Sequence, residues 1–119
     1  MAMLLEHWIY LIPIAAVGYL LWSRRSASTG DVKAMLTRGA QVVDVRTKAE
    51  FRSNAHPKAI NIPLDQLETR LKELDRARPI LVCCESGSRS GLGVAILKKA
   101  GFPEVANLGS WRRIGELLS

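Results

Sequence analysis

The sequence predicts an α/β layer sandwich on a parallel sheet, preceded by one transmembrane helix. Two observations carry this. Short β-branched or apolar runs of strand length alternate with segments of helical spacing, the pattern of a sheet whose parallel strands are joined by crossover helices. Ahead of them, Trp8 to Trp22 contains no charged residue. A chain of 119 residues has room for one small domain and not for two independent cores.

Leu4 to Trp22 is 19 residues, close to the roughly 20 that a helix needs to cross a bilayer core. Trp8, Tyr10, Tyr19 and Trp22 lie towards its two ends, where aromatic residues meet lipid–water interfaces. Pro13 and Gly18 are better tolerated in a membrane helix than in a soluble one. A cleaved signal peptide carries positive charge before its apolar core. Here Glu6 precedes the core and Arg24-Arg25 follow it. The expected organisation is a membrane helix over 1–23, a linker over 24–30 and a globular domain over 31–119. Arg24, Arg25, Lys33 and Arg38 follow the span, so positive-inside logic places the domain on the cytoplasmic side of a bacterial inner membrane. The lipid bilayer is then a partner through residues 4–22. Cys83 and Cys84 are adjacent and do not form a disulfide framework.

All 17 Lys and Arg lie beyond the apolar stretch, against 10 of the 11 acidic residues. The mild excess suits a membrane surface, a small anion or a solvated face without a role. No basic cluster with interleaved aromatics occurs, so nucleic acid is not indicated.

Thr29 or Asp31 can cap a helix running to Arg38 and closed by Gly39. Gln41 to Val45 is a β-branched strand ending near Arg46. Thr47 caps one or two helical turns to Arg52, and Ala59 to Ile62 is a short extended piece between two prolines. Leu64, Leu67, Leu71 and Leu74 are spaced by three and four, predicting an amphipathic helix. Ile80 to Cys83 is an apolar strand. Ser88 to Ala100 is a helix with Leu92, Ala95, Ile96 and Lys99 near its expected faces, closed by Gly101 and Pro103. Val105 to Leu108 is the last strand, and Ser110 can cap a helix to Leu118.

The chemistry falls between the strand at Ile80–Cys83 and the helix after it. The junction reads Cys84-Glu85-Ser86-Gly87-Ser88-Arg89-Ser90. Ligands of such folds bind at the C-terminal ends of strands. A loop entering a helix turns its amides inward and makes an anion cradle. A cysteine there has its thiolate favoured over its thiol. Arg89 adds a positive charge, and Gly87 permits a tight turn. Cys84 is therefore the candidate nucleophile. Glu85, Ser86, Gly87, Ser88 and Arg89 are the candidate substrate-binding residues. Asp44 and Arg46 are candidates for orienting the cradle from below. Cys83 reads as a core residue or a resolving thiol, Ser86, Ser88 and Ser90 as helix caps, and Trp111 as a packing residue. His7 and His56 read as interfacial or surface residues. Two histidines and two adjacent cysteines do not make a ligand set, so neither metal nor cofactor is expected.

The loop CESGSRS resembles the Cys-x-x-Gly-x-Arg-Ser loop of rhodanese domains. Val43 to Phe51 is similar to the D-V-R-x-x-x-E-F segment of that family, and Pro57 to Pro63 to the stretch that follows. Lys99 to Phe102 and Asn107 to Trp111 resemble its last third. The likeness runs from Asp31 to Leu117 in the expected order. It implies a five-stranded parallel sheet with helices on both faces and persulfide chemistry at Cys84. Sulfane sulfur would pass from a small donor, thiosulfate or a persulfide or polysulfide, to a thiol or cyanide acceptor. The chain departs from the pattern at Asn54-Ala55-His56, where many members have Gly-His-Ile, at Gly109-Ser110 for Gly-Gly, and at the acidic Glu85. A carboxylate at Glu85 weakens attraction for a dianion such as thiosulfate unless Arg89 and the amides dominate. Two other classes share these features. Cysteine phosphatases place five residues between Cys and Arg, against four here, and a non-catalytic docking module would reuse the fold alone.

Overall fold

A computed structural model describes residues 13–18 and 25–118. Its elements run α1 (Thr29–Thr37), β1 (Gln41–Asp44), α2 (Lys48–Ser53), β2 (Ala59–Asn61), two 3₁₀ helices (Leu64–Thr69 and Leu71–Glu73), β3 (Ile80–Cys84), α3 (Ser88–Lys99), β4 (Val105–Ser110) and α4 (Arg113–Leu118). The strands form one parallel sheet in the order β2-β1-β3-β4. β3 sits in the middle and is buried along its whole length.

Alternation along the strands divides the core in two. Val43, Val45, Val82 and Cys84 face α3 and the 3₁₀ segment, with Leu67, Val94 and Leu97. Val42, Leu81, Cys83 and Leu108 face α1 and α4, with Val32, Met35, Trp111 and Ile114. Neighbouring strand residues point to opposite faces, so Cys83 and Cys84 belong to different cores.

Several expectations change. The sheet has four strands among the described residues, not five. On the outer edge of β4, Ala27 N–H donates to Asn107 O at 2.7 Å, and no fifth strand is formed among the described residues. The predicted amphipathic helix over Leu64–Leu74 is two 3₁₀ helices. Leu64/Leu67 and Leu71/Leu74 are each three apart, the 3₁₀ repeat, and the step of four between them falls at the break, Arg70. Ser28, rather than Thr29 or Asp31, caps α1 by accepting from Asp31 N–H at 3.2 Å. β4 continues to Ser110, so α4 starts at Arg113.

The buried face of α3 is also rotated from the one expected. Gly91, Gly93, Val94 and Leu97 pack inward, while Leu92 is exposed. Small residues let this helix lie close on β3. A Cβ on Gly93 would meet Val82 Cγ1 at 3.0 Å.

The membrane expectation is corrected. Among the described residues no helix is long and apolar enough to cross a membrane. Of the expected span, only residues 13–18 are described, and they are helical. The rest of that span, with His7, lies outside the described residues. The single-pass inner-membrane placement, its cytoplasmic orientation and the lipid partner are not supported.

Val82 is fully buried in the central strand and has nowhere to move. Gly93→Val is expected to cost about 2–3 kcal/mol through overpacking. It should lower the midpoint of chemical denaturation with an unchanged slope.

Candidate active site

The fold brings the C-terminal end of β3 against the start of α3. Cys84 ends the strand, and three residues later Gly87 adopts φ +106°. A side chain rarely takes that conformation, and a Cβ there would also meet Gly109 Cα at 3.4 Å. The turn reverses the backbone so that amides point back at the sulfur. Gly87 N–H reaches Cys84 Sγ at 3.0 Å and Ser90 N–H reaches it at 3.4 Å, with the Ser86 amide contributing. The Ser90 hydroxyl is 3.4 Å from the same sulfur.

Cys84 is only 1% exposed, so the sulfur lies beneath the loop rather than at its lip. Burial pushes its thiol up. The Ser90 hydroxyl and the amides of Ser90, Gly87 and Ser86 more than reverse that, so the net shift is downward. Magnitudes explain why several donors are needed. Burying an ion costs several kcal/mol, and a hydrogen bond to a charged acceptor returns about 1.5–3 kcal/mol. Two amides roughly balance the cost; the further donors decide the sign. Cys83, on the opposite face, has no such ring. Burial first, then the Asp44 carboxylate, push its thiol up, and it stays protonated.

Two residues of this site escaped the sequence reading. Ser90, taken as a cap, is fully buried and bonds to Gly87 O at 3.0 Å and to Asn107 Oδ1 at 2.6 Å. Asn107 Nδ2 donates to Gly87 O at 3.0 Å, and its Oδ1 accepts from Gly109 N–H at 2.9 Å. The register slips beside it, from Val82↔Asn107 to Cys83↔Gly109. Such a bulge re-aims side chains at a strand end. The available signal was a lone amide side chain in the apolar run Val105–Leu108.

The expected binding residues divide. Ser86 and Gly87 face the sulfur. Ser88 is exposed, with its hydroxyl 3.3 Å from that of Ser86. Arg89 is not a free cation: it makes a two-pronged pair with Glu50, at 2.6 and 2.9 Å. Glu50 also closes the Thr47 capping box. The Arg89 guanidinium, then the Thr47 amide, hold the Glu50 carboxyl down to about 2. Glu85 turns outward to Arg112 Nη1 at 2.5 Å and Trp111 Nε1 at 3.2 Å. Those two contacts, in that order, hold its carboxyl below the usual range. Asp44 and Arg46 form a buried pair whose shortest contact is 2.7 Å. Arg46 also donates to Asn54 O at 2.8 Å. Asn61 Nδ2 bridges Asp44 O and Arg46 O, both at 3.0 Å. The pair ties the loops around the end of β1 and makes no hydrogen bond to the sulfur. His56 accepts from Lys58 N–H at 3.1 Å in a local turn. Among the described residues no cluster could hold a metal ion.

Residues 28–115 match the rhodanese-like domain family, and the chain belongs to it. It is 33% identical over 97 residues to a sulfurtransferase of Allochromatium vinosum, covering 78% of this chain and 83% of that protein. It is 38% identical over 79 residues to the Bacillus subtilis protein YqhL, covering 66% of this chain and 63% of that one. In structure it is similar to a rhodanese-related protein of Thermoplasma volcanium, with a TM-score of 0.62 at 30% identity over 76% of this chain and 93% of that one.

Two predictions follow from these contacts. The alkylation rate of Cys84 by iodoacetamide should rise with pH to a midpoint below that of an ordinary thiol, and Ser90→Ala should move this midpoint upward. Glu50, whose carboxyl is depressed on folding, adds stability that is present above about pH 4.5 and is lost as pH falls through about 2. Glu50→Gln should therefore lower the thermal midpoint at pH 7, and the gap to the parent protein should close across that acid window.

Proposed function

We propose that this protein is a sulfurtransferase that carries sulfane sulfur as a persulfide on Cys84. The supporting observation is the set of backbone amide donors on Cys84 Sγ, Gly87 N–H at 3.0 Å and Ser90 N–H at 3.4 Å. The Cys84 thiolate attacks the sulfane sulfur of thiosulfate or of a persulfide or polysulfide. The old bond to that sulfur breaks, its electron pair leaves with the donor remnant, and Cys84–S–S⁻ remains. A thiol or cyanide acceptor then attacks the outer sulfur and the thiolate returns. No separate base is needed, because the amides around Cys84 favour its thiolate form. In this scheme Ser86, Gly87 and Ser90 hold the anionic sulfur. Ser88 and Arg89 border the entrance, and Asp44 and Arg46 keep the surrounding loops in place.

One observation favours a second reading, a docking module without turnover: Cys84 is 1% exposed. Under the enzymatic reading the 85–88 loop has to shift to admit a donor. Mass spectrometry after donor treatment separates the two. A +32 Da adduct that disappears in Cys84→Ser is expected, and its absence with every donor tried would sink the proposal.

A further inference from the structure

We infer that Glu85 determines which donors are used, favouring a neutral or singly charged alkyl persulfide over dianionic thiosulfate. This deepens the sulfur-transfer reading above and rests on it. Glu85 directly follows Cys84, and the peptide between them is fixed by Trp111 N–H donating to Cys84 O at 2.9 Å. Its carboxylate is fixed as well, by Arg112 at 2.5 Å, the Trp111 indole at 3.2 Å and Arg46 at 3.8 Å. The Arg46 and Arg112 guanidiniums each lie 4.8 Å from the centre of the Trp111 ring. The negative charge is thus a standing part of the rim.

The charges of the ion pairs around the site cancel. Asp44, Glu50 and Glu85 face Arg46, Arg89 and Arg112, three carboxylates against three guanidiniums. The thiolate adds one negative charge. A dianion arriving there meets twice the repulsion of a monoanion, and a neutral donor meets none. Removing the Glu85 charge leaves a net positive rim; removing the Arg112 charge leaves a net negative one.

Both donor classes balance chemically. From thiosulfate, Cys84–S⁻ takes the outer sulfur, the S–S bond breaks and sulfite leaves with the electron pair. From R–S–SH, Cys84–S⁻ takes the outer sulfur, and the S–S bond breaks with its electron pair leaving on R–S. The thiolate R–S⁻ so formed takes the proton, giving R–SH and Cys84–S–S⁻.

The test is single-turnover loading of the full chain, followed by mass, with thiosulfate and separately with 2-hydroxyethyl persulfide. Intrinsic donor reactivities cancel when each variant is read as its thiosulfate-to-persulfide rate ratio. Glu85→Gln should raise that ratio about tenfold, and Arg112→Gln should lower it. Added salt should speed thiosulfate loading of the parent protein, and less so in Glu85→Gln. A merely structural clamp would move both variants the same way. Ratios that shift together or stay fixed while loading persists overturn the inference about Glu85. Failure of the parent protein to load from either donor overturns the underlying sulfur-transfer reading instead.

Discussion

Gly87 is where the site is held together. Its N–H donates to Cys84 Sγ, while its carbonyl accepts from Asn107 Nδ2, from the Ser90 hydroxyl and from Gly91 N–H. The positive φ between the two groups is what lets one residue face the sulfur and still anchor the first turn of α3. The β3–β4 ladder supports that residue from the far side, through the register slip beside Asn107. Sheet register, helix start and sulfur ionisation therefore share one small set of hydrogen bonds. A buried network of this kind is worth more intact than its separate bonds imply, because each partner left unsatisfied in a dry interior is costly.

Electrostatics around this centre follow a rule of local pairing. Asp44 with Arg46, Glu50 with Arg89 and Glu85 with Arg112 each neutralise one another. Only the first pair is buried; the other two stand at the rim, a third to a half exposed. Exposed pairs contribute little to stability. Their effect is on orientation, because each ties a segment of one loop to the next. Anion stabilisation is left to dipoles, the amides of Gly87 and Ser90 at 3.0 and 3.4 Å from Cys84 Sγ.

Much of this was readable in the sequence, and the unreadable parts have physical causes. The four strands were visible because each is a short apolar or β-branched run between turn residues. Cys84, Gly87 and Arg89 stood out because their spacing fits a loop entering a helix. What one-dimensional spacing does not encode is which of two neighbouring charges a side chain chooses. Arg89 was read as a positive charge beside the sulfur, and it is paired with Glu50, 39 positions away. Asn107 depends on a register slip, a relation between two strands. The phase of α3 was misjudged because apolar size was followed, whereas close contact with the sheet selects glycine. The N-terminal span was inferred from hydropathy, aromatic placement and flanking charge, and the described residues contain no helix that fits it.

The side-by-side cysteines carry a last consequence. Strand alternation sends Cys84 into one core and Cys83 into the other. Their sulfurs stand on opposite sides of the sheet, and burial pushes the Cys83 thiol well up. A vicinal disulfide would require the central strand to twist out of its ladder. The chain therefore has no second thiol within reach of Cys84: an oxidant's mark there stays until a molecule from outside removes it.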